Sequence, residues 1–107
     1  MGHTYSDGEG EWDVHRLWEL AKNLPVREVD PSTFAKEEFA WGDELNLGML
    51  VAHMQRALAA DLNYPIILSA DGCVMDGNHR IITAWLGGEL VKVVQFVETP
   101  APDRTLV

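Results

Sequence analysis

Asp76, Gly77, Asn78, His79 and Arg80 stand in a row and bring together a carboxylate, a titratable imidazole and a guanidinium. Asp71–Gly72 before them is a tight-turn signal, and Cys73–Val74–Met75 between the two reads as a short strand. Ile81–Ile82–Thr83–Ala84–Trp85 follows with helical character, so His79 and Arg80 fall in the first turn of a helix. A helix start presents N–H groups without intrahelical acceptors and the positive end of the peptide dipole, which suits an anion and above all a phosphate. Arginine adds a planar fork of donors, and histidine adds a donor that titrates near neutrality. Gly77 permits positive φ or close approach of a ligand to the backbone. Binding of a phosphate or nucleotide is the chemistry expected of Asp76–Arg80. The same residues also suit a plain strand-to-helix turn, with Asp76 or Asn78 as cap and two surface cations.

The elements that must position this turn are read from periodicity. Val14, Leu17, Trp18 and Ala21 recur at helical spacing, Leu24 continues the stripe, and Asn23 and Pro25 end it. On the same spacing Trp18 and Trp85 are expected in the core. Residues 25–30 alternate weakly as a short strand. Asp30–Pro31 then offers a capped helix start, with Phe34 and Phe39 on the inner face of a short helix over 32–40. A second helix is predicted from Leu47 to Asp61, its apolar face formed by Leu47, Leu50, Val51, Met54 and Leu58. Ile66–Ile67–Leu68 reads as a buried strand with Pro65 at its start, and Leu90–Val97 is the most strand-like run. Gly87–Gly88 supply the helix stop between them. Residues 1–10 are expected to be a mobile arm, which formally fits a myristoylation pattern at Gly2 and Ser6. Residues 11–98 form the expected domain, and 99–107, with Pro100 and Pro102, an extended tail. The order α-β-α-α-β-β-α-β predicts one compact α+β domain, a small mixed sheet with helices packed around it.

Composition narrows the partners. A chain of 107 residues, 47% apolar and 23% charged, suits a single globular domain. No apolar stretch is long enough to span a membrane, and no signal-peptide core is read near the N-terminus. The lone Cys73 excludes an internal disulfide and fits a reducing compartment, so a cytoplasmic location is expected, with the thiol as a small buried hydrophobe. With 8 basic against 17 acidic residues the formal charge is −9, which disfavours general nucleic-acid binding. A small anionic ligand stays compatible, because donors inside a pocket act at distances where the screened net field is weak.

Asp71–Gly72, an apolar pair, Asp76–Gly77–x–His79–Arg80, an apolar helix, Gly88 and a Val-rich strand form a layout that resembles the ParB/sulfiredoxin-like superfamily. The earlier Pro25–Val26–Arg27–Glu28–Val29 and Pro65–Ile66–Ile67–Leu68 fit the same layout, so the resemblance runs from about Leu24 to Phe96. It implies that the glycine turn and helix bind nucleotide phosphates, as with CTP in partition proteins and ATP or ADP in sulfiredoxin and free-serine kinase. Carried to this chain, it implies Gly77, Asn78, His79 and Arg80 as phosphate contacts, with Asp76 and His79 as catalytic candidates. Asp76 would orient the loop, bind Mg²⁺ or act as base. ATP or CTP with Mg²⁺ is the implied cofactor, and nucleotide hydrolysis or phosphoryl transfer the implied activity.

The departures shape the expectation further. Sulfiredoxin's reactive cysteine precedes its His–Arg pair, where this chain has Asn78. Partition proteins carry a basic helix-turn-helix beyond this core, and none is read here. The Asp–Gly–x–His–Arg form is that of free-serine kinase, but the chain is much shorter than such kinases and no separate substrate lobe is expected. A non-catalytic regulatory or protein-interaction module is therefore the alternative, and a homodimer or a protein partner is compatible with it. No Walker-type glycine loop with its lysine is present.

Other residues carry two readings each. His53, beside the apolar stripe of its helix, fits either a pocket contact or edge packing; Trp41 fits either stacking on a ligand or covering the core's rim. Glu28 and Asp30 are candidate acids by the resemblance, whereas Glu37, Glu38, Asp43 and Glu44 suit either a metal or base role or a solvated face. The four histidines have no recognised zinc spacing.

Overall fold

In the computed structural model, which describes residues 4–37 and 46–106, the elements follow one another in short steps. They are β1 (Thr4–Ser6), β2 (Gly10–Asp13), α1 (Val14–Ala21), β3 (Arg27–Val29), a single 3-10 turn (Pro31–Phe34), α2 (Leu47–Leu58), β4 (Ile66–Leu68), β5 (Val74–Asp76), α3 (Asn78–Leu86), β6 (Val91–Gln95) and β7 (Arg104–Thr105). The central sheet has the order β3-β6-β4-β5. β4 and β6 run parallel, and the outer pairs β3–β6 and β4–β5 are antiparallel. A parallel pair needs a crossover, which β5 and α3 supply.

Both faces of this sheet are covered, which is why its strands read as near-continuous apolar runs. Ile67, Met75, Val94 and Phe96 face one way, onto Trp12 and onto Leu17 and Ala21 of α1. Ile66, Leu68, Val74, Val91 and Val93 face the other way, onto Ile81 and Ala84 of α3. The expected α+β architecture, a small mixed sheet with helices around it, is therefore present. No helix among the described residues is long and apolar enough to cross a membrane.

The two chain ends differ from expectation. Instead of an arm and a loose tail, β1, β2 and β7 form a second sheet of three strands. The Asp7 carboxylate accepts from the Glu9 and Gly10 amides at 2.9 and 2.8 Å, closing the turn between β1 and β2 around Gly8. The Trp12 indole donates to the Pro100 carbonyl at 2.8 Å, and Arg104 pairs with Glu11 and Asp13 at 2.8 and 2.6 Å. A buried indole and a cation opposite two carboxylates hold the tail in place, contacts too distant in sequence for local pattern to reveal.

Three further expectations are corrected. Trp18 and Trp85 are each 46% exposed, because α1 buries only Val14, Leu17 and Ala21 and α3 only Ile81 and Ala84. Cys73 is exposed and precedes the strand, since the turn from β4 extends through Ser69–Cys73 and pairing resumes at Val74. α2 buries Ala57 alone and leaves Leu47, Leu50, Val51, Met54 and Leu58 exposed, because among the described elements it packs chiefly on α3.

Candidate functional site

Gly77 makes the turn from β5 into α3, and no other residue fits there. Its φ is +107°, in the left-handed region, and an added Cβ would collide with Ile66 of β4. The amides of Arg80 and Ile81 make the first helical bonds, to the Gly77 carbonyl at 2.9 and 3.2 Å. Among the described residues no side chain caps the helix, and its first turn holds no acidic residue to meet the positive end of the dipole. The capping role open to Asp76 or Asn78 is thus not taken up.

Asp76 turns instead toward α1. Its carboxylate accepts from the Trp18 indole at 2.8 Å and lies 3.4 Å from Arg80 Nη1. The same Nη1 donates to the Pro65 carbonyl at 3.2 Å, and the guanidinium carbon lies 5.9 Å from the Tyr64 ring centroid. Only one guanidinium nitrogen is engaged in this way, and among the described residues Nε and Nη2 have no hydrogen-bond partner. The fork is not spent.

Arg80 lines a cleft of about 680 Å³ between α1 and the start of β4. Trp18, Leu24, Val26, Tyr64 and Pro65 form its apolar walls, and Lys22, ion-paired to Glu19 at 3.1 Å, stands at the rim. A volume of this order holds a small molecule. The cleft is mostly apolar with one partly buried cation, which suits a ligand with an apolar body and an anionic end.

His79 faces the other way. Its Nε2 lies 3.0 Å from Nδ1 of His53 on α2. Burial holds its pKa below the ordinary histidine range, as do the charges of His53, Arg56 and Arg80, with Asp76 opposing. The five residues of the motif therefore divide: Asp76 and Arg80 toward the cleft, His79 toward α2, with Gly77 and Asn78 at the helix start between them. Of the expected phosphate contacts, Arg80 is the one in the cleft lining.

The remaining candidates are dispersed. Asp30 accepts from the Ser32 amide at 2.9 Å as cap of the 3-10 turn, a bond that lowers its carboxyl pKa. Glu37 accepts from the Val74 amide at 3.0 Å, shielding the outer edge of β5. Glu28 lines a separate hollow with Glu89 and Lys92. Trp41, Glu38, Asp43 and Glu44 lie outside the described residues, as do Phe39 and Gly2. Among the described residues no three His, Cys, Asp or Glu side chains cluster to hold a metal ion. Trp18, Lys22 and Tyr64 are the site residues that sequence reasoning missed. The exposed side of the α1 stripe held the only hint, since a tryptophan there has an N–H to satisfy.

Compared with protein-family models, with curated proteins and with solved structures, the chain matches none.

Proposed function

We propose that this protein binds a small phosphate-bearing ligand, a nucleotide by the size and lining of the cleft, with Arg80 as the anion contact. The single observation that carries this reading is the Arg80 guanidinium, held at one nitrogen by Pro65 and Asp76 and offering two others beside apolar walls. The phosphate sits on the fork, where charge-assisted bonds are strong. The nucleotide's flat body lies along Trp18 and Tyr64. Mg²⁺, where required, arrives on the nucleotide's own phosphates, since no described cluster forms a protein cage for it.

Binding without turnover is favoured over nucleotide hydrolysis or phosphoryl transfer. Asp76 is engaged by Trp18 and Arg80, and His79 by His53, so neither catalytic candidate is placed at the cleft as an uncommitted base. Titration of the purified protein with phosphate, ATP and CTP, with and without Mg²⁺, tests the reading by calorimetry. Saturable binding that Arg80→Ala removes is the expected result; binding indifferent to Arg80, or none with any of the three, defeats it. Product formation in the same mixtures, with free serine added in a parallel set, would move the reading to phosphoryl transfer.

A further inference from the structure

α2 is held to the rest of the protein by little apolar burial. Ala57 is its one buried described residue, whereas Leu47, Val51 and Leu58 are 76%, 48% and 82% exposed. Among the described residues two polar side-chain contacts join it to α3. The Thr83 hydroxyl donates to the Ala57 carbonyl, and His53 Nδ1 lies 3.0 Å from His79 Nε2.

The two imidazoles meet end to end. Their planes are inclined by 20° and their centroids lie 5.3 Å apart, which exceeds the 3.0 Å between nitrogens by one ring radius on each side. The facing nitrogens and both ring centres are thus close to collinear, the geometry of a single N–H···N bridge.

Such a bridge has room for one proton. In the neutral pair one ring donates and the other accepts. A further proton on an outer nitrogen leaves the bridge in place. When both rings are imidazolium, both facing nitrogens carry hydrogens, the bridge is lost and like charges oppose one another. The surroundings sharpen the response: Arg56 on α2 and Arg80 on α3 repel added positive charge, and Asp76 at the end of β5 is the opposing charge among the described residues.

We propose that the His53–His79 bridge is a proton-operated latch, in which full protonation of the pair releases α2 from α3 and uncovers the first turn of α3. The proposal stands apart from phosphate binding and does not require it.

The test uses the whole chain. Imidazole NMR between pH 8 and pH 4 is expected to show the rings titrating as a coupled pair in two steps, not as two independent groups. Amide exchange over 47–58, corrected for its intrinsic pH dependence, is expected to accelerate about tenfold or more relative to β4 and β6 across the second step. His53→Asn keeps a donor near the Nδ1 position but cannot be charged, so its α2 exchange should stay level over the same range. Independent ordinary titration of the two rings, or equal acceleration in His53→Asn, would overturn the latch. Should His53→Asn fail to fold, the wild-type titration and exchange decide the matter alone.

Discussion

The Trp18 indole donates to the Asp76 carboxylate over 2.8 Å, joining the exposed shoulder of α1 to the glycine turn 58 residues later. Asp76 in turn lies 3.4 Å from Arg80 Nη1, so α1 indirectly sets where the guanidinium rests. Trp18→Phe keeps a ring at the cleft and deletes the N–H. Asp76 then loses its shortest partner, and the Asp76–Arg80 pair is expected to tighten at the expense of ligand. A stability loss of about 1 kcal/mol is expected, a hydrogen bond to a charged group discounted for the exposure of Trp18. Chemical denaturation checks the first effect and phosphate or nucleotide titration the second. Unchanged affinity would show that Trp18 does not act on Arg80 through Asp76.

Two glycines with positive φ allow the backbone and packing terms to be separated. Gly88, at φ +68°, closes α3 in a Schellman arrangement, with the Glu89 amide on the Ala84 carbonyl and the Gly88 amide on that of Trp85. A Cβ there meets nothing within 4 Å, so Gly88→Ala should cost only the left-handed backbone term, about 1–2 kcal/mol. Gly77→Ala adds a collision with Ile66, which is fully buried and cannot give way. Its expected cost is larger by about 1–3 kcal/mol, in line with overpacking of a core. Equal melting temperatures for the two variants would show that the β4–α3 contact is softer than its packing implies.

The central sheet was legible because both-face burial writes itself into consecutive residues: Ile66–Leu68 and the Val91–Val94 run can be little else. Asp30 as cap and Gly87–Gly88 as stop were legible for the same local reason, whereas the Asn46 cap of α2 was not read from the sequence. The turn at Gly77 was legible, but the direction of the side chains around it was not. Whether Arg80 leans toward Pro65 or His79 depends on what stands beside the turn, and Trp18, Tyr64 and His53 arrive from other elements. The tail was missed on the same grounds. Trp12 to Pro100 and Arg104 to Glu11 and Asp13 are contacts of almost the whole chain's length. Truncation before Pro100 should therefore lower stability measurably, whereas a loose tail would be lost without effect.

Stability should fall with acidification in two separate windows. His79 has a folded pKa below its unfolded value of 6.5, through burial first and then the charges of His53 and Arg56. Above that value both states are neutral at this ring and its full contribution is present. As pH falls below it, the unfolded chain takes up a proton that the folded chain refuses, and stability drops until the folded pKa is passed. Asp7 and Asp30 are lowered by backbone N–H bonds, so their contributions persist above 3.8 and are lost below it. Urea midpoints at pH 7.5, 5 and 3 check this. A fall between the first two that disappears in His79→Gln assigns the upper window; a flat profile from 7.5 to 5 would show that the ring is not protected from protons.

Replacing Arg80 tests whether the fork or only its charge matters. Arg80→Lys retains a cation, but an ammonium cannot both hold the Pro65 carbonyl and offer two parallel donors to one phosphate. With the Arg80 and Asp76 side chains only 18% and 20% exposed, solvent screens the site incompletely, so the lost bond should be felt. Phosphate affinity is expected to fall about tenfold or more in Arg80→Lys, the equivalent of one charge-assisted hydrogen bond, and further in Arg80→Ala. If the proposed charge contact holds the anion, binding to the wild type should weaken as salt is added. If Arg80→Lys binds phosphate as well as the parent while melting at the same temperature, the planar fork is not the recognition element. The anion would then be held by charge alone, a contact that Lys22 at the rim could equally make.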